Sequence, residues 1–181
     1  MHKRKIFIEL EVPKGLSTKL LQRARKWQDL PVKWTKEGNF HVTLAFLGYV
    51  DEEVLPDICE KVRDAVSQID AFDIYFEKIC LGPDKENPQN IWLEGPASDE
   101  LKNLIESIEK SLNIAKSERK QLRPHVTLGR IRHEKWLELA EKPQIDESFN
   151  VSIPAEIVFV MESNAIKGGP EYTPVEECPL A

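Results

Sequence analysis

Long apolar runs are missing from this chain. Nowhere in its 181 residues does one approach the roughly 20 needed to cross a bilayer, so no membrane-spanning helix is expected. The opening MHKRKIFIEL starts basic but turns acidic and polar at once. Its apolar part is too short for a signal peptide and no small-residue cleavage site follows, so it reads as a first strand. Cysteine is scarce, with three residues, Cys59, Cys80 and Cys178, far apart and without a C-x-x-C. An odd, scattered set argues against a disulfide framework or a closely spaced thiolate metal site. It fits thiols in a reducing compartment, which makes the cytoplasm the expected location.

Apolar residues make up 41% and charged residues 31% of the chain, ordinary for a globular protein able to bury a core without staples. The length suits a single two-lobed domain over residues 1–181. The net charge is −6, and a uniformly acidic protein binds nucleic acid poorly because backbone affinity comes from clustered cations. The charge is segregated, however. Residues 1–36 hold 10 Lys and Arg against 3 Asp and Glu, and residues 115–135 hold 7 against 2. If these segments converge they form a local anion site. The alternative is that they mark solvated faces.

Residues 4–12 alternate, with Ile6, Ile8, Leu10 and Val12 on one face of a half-buried strand. A helix is expected over 17–28 with Ser17 as N-cap, and a second over 55–69 with Pro56 in its first turn. Strands at 72–81 and 91–95 flank the polar turn GPDKENPQN and read as a hairpin. Ser98 caps a helix with Leu101, Leu104, Ile105, Ile108 and Leu112 on one face, and a short helix is expected near Trp136–Ala140. A strand at 153–163 and a last, edge-like strand broken by Pro174 complete the pattern. Strands outnumber helices without alternating with them. The expected class is therefore α+β with mainly antiparallel sheets, each half of the chain forming a duplicated lobe.

Histidine is also scarce. Of four, two open the same tetrapeptide, HVTL, at His41 and again 84 residues later at His125. In a strand, alternate side chains share a face, so His41 and Thr43 look one way while Val42 and Leu44 look the other. His125 and Thr127 repeat this with Val126 and Leu128. If the two strands hold equivalent places, two imidazoles and two hydroxyls surround one small volume. An imidazole titrates near pH 6.5, so one ring can accept a proton while the other donates one, and the hydroxyls can donate to an anion between them. That set suits in-line displacement at phosphorus, and a strained cyclic phosphodiester is a natural substrate. No metal site is expected, since neither histidine has a close His or Cys partner and hydroxyls are poor zinc ligands. His133 reads as a surface residue.

Arg130, five residues after His125, faces away in a regular strand. A bulge or the strand end would turn it to hold a phosphate oxygen, and a solvated surface arginine is the alternative. Arg123 has the groove parity, but Pro124 bends the chain beside it. Phe7, off the apolar parity of the first strand, is a candidate substrate-binding residue through base stacking, or a packing residue between layers.

The paired H-x-T strands resemble the mark of the two-histidine phosphoesterase superfamily, and more closely that of the RNA 2′,3′-cyclic phosphodiesterases. This is the LigT-like group, also described as 2′-5′ RNA ligases. The resemblance covers nearly the whole chain through IFIELEVP, NFHVTLAFLG, IWLEG, RPHVTLGR, VFVMES and GPEYTPVEECPL. It implies a bilobal, pseudo-twofold fold, with two mainly antiparallel sheets and flanking helices around a central groove. It implies hydrolysis of terminal 2′,3′-cyclic phosphates of RNA to 2′-phosphates without metal or cofactor, with 2′-5′ ligation as the reverse reaction. It also implies His41 as acid, His125 as base and Arg130 as a phosphate contact, although the symmetry of the motifs leaves the order of acid and base open. The expected partner is RNA or a nucleotide with a 2′,3′-cyclic phosphate end, the expected state a monomer. A phosphate-end RNA-binding module without turnover, or a phosphodiesterase for another cyclic phosphate, are the competing readings.

Overall fold

The computed structural model describes residues 1–115 and 122–181. Part of the second basic segment, residues 116–121, therefore lies outside the described residues. The chain forms β1 (Lys3–Glu11), α1 (Lys14–Ala24), β2 (Val32–Trp34), β3 (His41–Asp51), α2 (Leu55–Val66), β4 (Phe72–Gly82) and β5 (Asn90–Glu94). It continues with α3 (Asp99–Ser111), β6 (His125–Ile131), α4 (His133–Leu137), β7 (Asp146–Ala155), β8 (Ile157–Ile166) and β9 (Gly169–Pro179). The fold is α+β, with two antiparallel sheets ordered β3-β1-β8-β9 and β2-β6-β5-β4-β7.

The lobes are not the two halves of the chain. Strands from the first and last quarters build the first sheet, and the middle of the chain builds most of the second. The expectation of one lobe per half fails because sheet order follows long-range pairing, which local patterning does not encode. The pseudo-twofold relation is present all the same. β3 beside β1 and β6 beside β5 occupy matching places, and short β2 covers the outer edge of β6 through Lys33 opposite Arg130.

Ile6, Ile8 and Leu10 of β1 are buried in the core with Val42 and Leu44 of β3, as the alternation requires. The second lobe repeats this with Ile91 and Leu93 of β5 and Val126 and Leu128 of β6. Each such side chain taken fully from water contributes about 1.5–3 kcal/mol. Among the helices, Ser98 caps α3 as expected, its Oγ accepting from the Leu101 N–H at 3.1 Å. Ser17 does not cap α1. The helix starts earlier, after Pro13, and Ser17 is buried within it. Pro174 does not end β9 either. A register shift opposite Val160 and Met161 absorbs it at the edge of the sheet.

Candidate active site

His41 and His125 are the first residues of β3 and β6, and those two strands come into contact across the groove between the sheets. Both histidines and both threonines, Thr43 and Thr127, line a single cavity of about 590 Å³. The four side chains are half-buried, while Val42, Leu44, Val126 and Leu128 point into the two cores. The period of two alone puts these groups on the groove face.

Matching bulges follow the two motifs. On β3, Ile8 of β1 pairs with Ala45 and Glu9 pairs with Thr43, which leaves Leu44 as the extra residue. On β6, Ile91 of β5 pairs with Gly129 and Trp92 pairs with Thr127, leaving Leu128 extra. An extra residue resets the parity of the strand beyond it. The side chain five residues after each histidine, Phe46 in one strand and Arg130 in the other, thereby reaches the cavity. Arg130 is exposed there, and Lys5 lines the same cavity from β1. Among the described residues, each basic segment thus contributes one cation to it.

His41 is held on both nitrogens. Nδ1 lies 2.7 Å from the Asn39 carbonyl oxygen and Nε2 lies 2.9 Å from the Thr43 hydroxyl. A carbonyl oxygen only accepts, so Nδ1 carries the proton and Nε2 is the nitrogen offered to the hydroxyl and the groove. The ring packs against Phe7 at 5.3 Å and meets Tyr172 edge-on at 5.5 Å between centroids. Burial pushes its pKa below the ordinary value, the Asn39 hydrogen bond works the other way, and the charge of Arg130 lowers it further. Behind it, Glu9 is 5% exposed. One carboxyl oxygen of Glu9 lies 3.6 Å from His41 Nδ1 and has no hydrogen-bond partner among the described residues. Burial, with help from the charge of Glu11, pushes this carboxyl up to about 8.

The surroundings of His125 differ. Its ring stacks on Trp92, with centroids 4.3 Å apart and planes 27° from parallel. The indole in turn lies on Gly82, where a Cβ would come within 2.2 Å of the ring. Glu94 is the strand partner of His125, and its carboxylate is 3.7 Å from Arg123.

Phe7, expected either to stack on a base or to pack between layers, lines the cavity. It is only 4% exposed, lying beneath Phe46 and Tyr172, so it forms the floor of the cavity and offers no open face to a base. The packing role is the one it takes, because β9 brings Tyr172 over it. Arg123 lies at the surface, and so does His133 at the start of α4. Cys59, Cys80 and Cys178 are free and buried. Burial pushes the thiols of Cys80 and Cys178 up to about 11, far from a reactive thiolate. Among the described residues, no group of three or more His, Cys, Asp or Glu is placed to hold a metal ion, and no helix is long and apolar enough to cross a membrane.

Sequence reading did not single out Glu9, Trp92, Phe46, Tyr172 or Lys5. Lys5 and Glu9 left a local signal, since they share with Phe7 the face of β1 opposite Ile6, Ile8 and Leu10, and so did Trp92, which alternates with Ile91 and Leu93.

A family model described as LigT-like phosphoesterase matches residues 10–92. A protein of Bacillus subtilis named RNA 2′,3′-cyclic phosphodiesterase is 31% identical over 133 residues, 72% of this chain and 70% of its own. Among solved structures, E. coli LigT complexed with 3′-AMP superimposes with a TM-score of 0.80 at 20% identity, covering 99% of both chains. A Thermus thermophilus protein superimposes with a TM-score of 0.79 at 22% identity, covering 97% of both.

Proposed function

The chain belongs to the LigT-like phosphoesterases, and from that footing we propose that it opens terminal 2′,3′-cyclic phosphates of RNA to 2′-phosphates through His41 and His125. The observation that carries this reading is the convergence of both H-x-T pairs on one cavity. The reading takes residues 1–181 as one two-lobed phosphoesterase domain acting as a monomer. Three buried free thiols suit a reducing compartment such as the cytoplasm.

In the proposed step, water attacks the phosphorus of the cyclic diester. Neutral His125 takes the proton from that water, the P–O3′ bond breaks, and His41 as imidazolium protonates the departing 3′-oxygen through Nε2. The product is a 2′-phosphomonoester with a free 3′-hydroxyl, and solvent returns both rings to their starting states. Thr43 turns its hydroxyl from Nε2 to a non-bridging oxygen, Thr127 donates to its counterpart, and Arg130 balances the charge at the groove mouth. These groups supply acid, base and anion stabilisation without a metal ion or cofactor. The same groups also permit attack by a 5′-hydroxyl in place of water, with His125 taking its proton and the P–O3′ bond again breaking, which yields a 2′-5′ linkage.

Turnover of an RNA oligonucleotide with a 2′,3′-cyclic end, in excess chelator, tests the reading. His41→Ala and His125→Ala are each expected to lower kcat by about 10²–10⁴-fold with the fold retained. Full turnover in either variant removes the acid–base assignment. Binding of the cyclic end by the intact protein without turnover leaves a phosphate-end binding module instead. A panel of other cyclic phosphates reports how far the substrate class extends.

A further inference from the structure

Among the buried titratable groups that the mechanism above leaves unused, Glu9 is the one that lies beside a proposed catalytic ring. His41 as acid must carry a positive charge at a site where burial and Arg130 oppose it. A counter-charge on its closed side would relieve this, and Glu9 occupies that side. We propose that Glu9 is a positioning residue for His41: its unpartnered oxygen, 3.6 Å from Nδ1, stands beside the ring as a counter-charge while Asn39 holds the Nδ1 proton, and the two groups share one proton near neutral pH. When Glu9 ionises, His41 becomes imidazolium. The proton lost from the carboxyl is balanced by one taken up at Nε2, exchanged through solvent in the groove.

The pseudo-symmetry of the fold supports the assignment. Glu9 pairs with Thr43 beside one bulge as Trp92 pairs with Thr127 beside the other. At the same ladder position, one histidine receives an aromatic stack and the other a carboxyl. Two identical motifs are thereby made unlike, as an acid and a base must be.

Two carboxyls stand near the ring, Glu11 as the exposed strand partner of His41 and Glu9 buried at 3.6 Å from Nδ1. Glu11 of β1 holds the Glu9 proton on, and Arg130 of β6 opposes the imidazolium. Tyr172 of β9 is held neutral by burial, with Glu9 contributing. Phe159 of β8, the strand partner of Glu9, brings no charge.

The proposal rests on the reading of His41 as proton donor, and its test separates the two. The intact chain, labelled with ¹⁵N in histidine and ¹³Cδ in glutamate, is titrated by NMR from about pH 5 to about pH 9.5. In the wild type, the Glu9 carboxyl and the His41 ring are expected to move in the same macroscopic steps. In Glu9→Gln, His41 is expected to titrate once, about one pH unit or more lower, with His125 unmoved. The alkaline limb of kcat is expected to follow, with KM little changed. Independent titration of the two groups in the wild type overturns the proposal, and so does an unmoved His41 midpoint in Glu9→Gln. The wild-type titration decides even if the variant fails to fold. Coupled titration in a protein whose His41→Ala variant keeps full turnover supports the pair and overturns only the acid role.

Discussion

The two HVTL strands begin with the same four side chains and end in different company. His41 sits on a floor of Phe7 and under the edge of Tyr172, with a buried carboxyl at Nδ1 and a backbone carbonyl fixing its tautomer. His125 lies flat on Trp92, with Glu94 as its strand partner. Beyond the bulges, the first strand sends an aromatic ring into the cavity and the second sends a guanidinium. Duplicated strands fix where the imidazoles and hydroxyls stand. The strand next door fixes what each group can do, because its side chains set burial and charge.

The strongest way to break one half alone is through its support. In Gly82→Ala, the new Cβ meets Trp92 within 2.2 Å, and overpacking of this kind costs about 1–3 kcal/mol. The indole must shift, and the His125 stack with it. The expected result is a lower denaturation midpoint and a slower kcat, while the NMR titration of His41 stays in place. A moved His41 would show that the halves are not separable.

Glu9 distinguishes the halves through stability against pH. Its folded value of about 8 is above the ordinary 4.5, so the folded state holds a proton that the unfolded chain has lost. That contribution weakens as pH rises from 4.5 toward 8. The pKa of His41 is lowered from 6.5, so the folded ring resists a charge that the unfolded chain accepts below 6.5. The two effects offset each other just below 6.5, and a net loss of about 2 kcal/mol is expected between about pH 6.5 and about pH 8. Urea unfolding should show this slope in the wild type and none over the same range in Glu9→Gln.

The smallest expected effect sharpens the contrast between Phe46 and Arg130. Arg130→Ala should raise KM for a cyclic phosphate about tenfold, in keeping with a lost charge-assisted hydrogen bond. It should also raise the His41 midpoint slightly by removing a nearby cation. Phe46→Ala should leave that midpoint unmoved.

Much of the site is legible in the sequence because side-chain alternation is a local rule. It puts His41 with Thr43, His125 with Thr127 and the intervening aliphatic residues into the core without reference to any other strand. The same rule gives Arg130 the wrong face, and only the bulge at Leu128 corrects it. A bulge is a mismatch between two strands, so it has no signature in one. Phe7 shows the limit from the other side. Its parity is right, but its burial depends on Tyr172, 165 positions later in the chain.

The sequence alone determined the two HVTL motifs, the apolar faces behind them and the α+β class, since each depends on the spacing of neighbouring residues. Tertiary structure alone decided that the motifs share one cavity, that the lobes are woven from both ends of the chain, and that one imidazole has a buried carboxyl where its twin has an indole. Those facts depend on which strands lie side by side. That choice is made by burial and hydrogen bonding summed over distant segments, and no local stretch carries it.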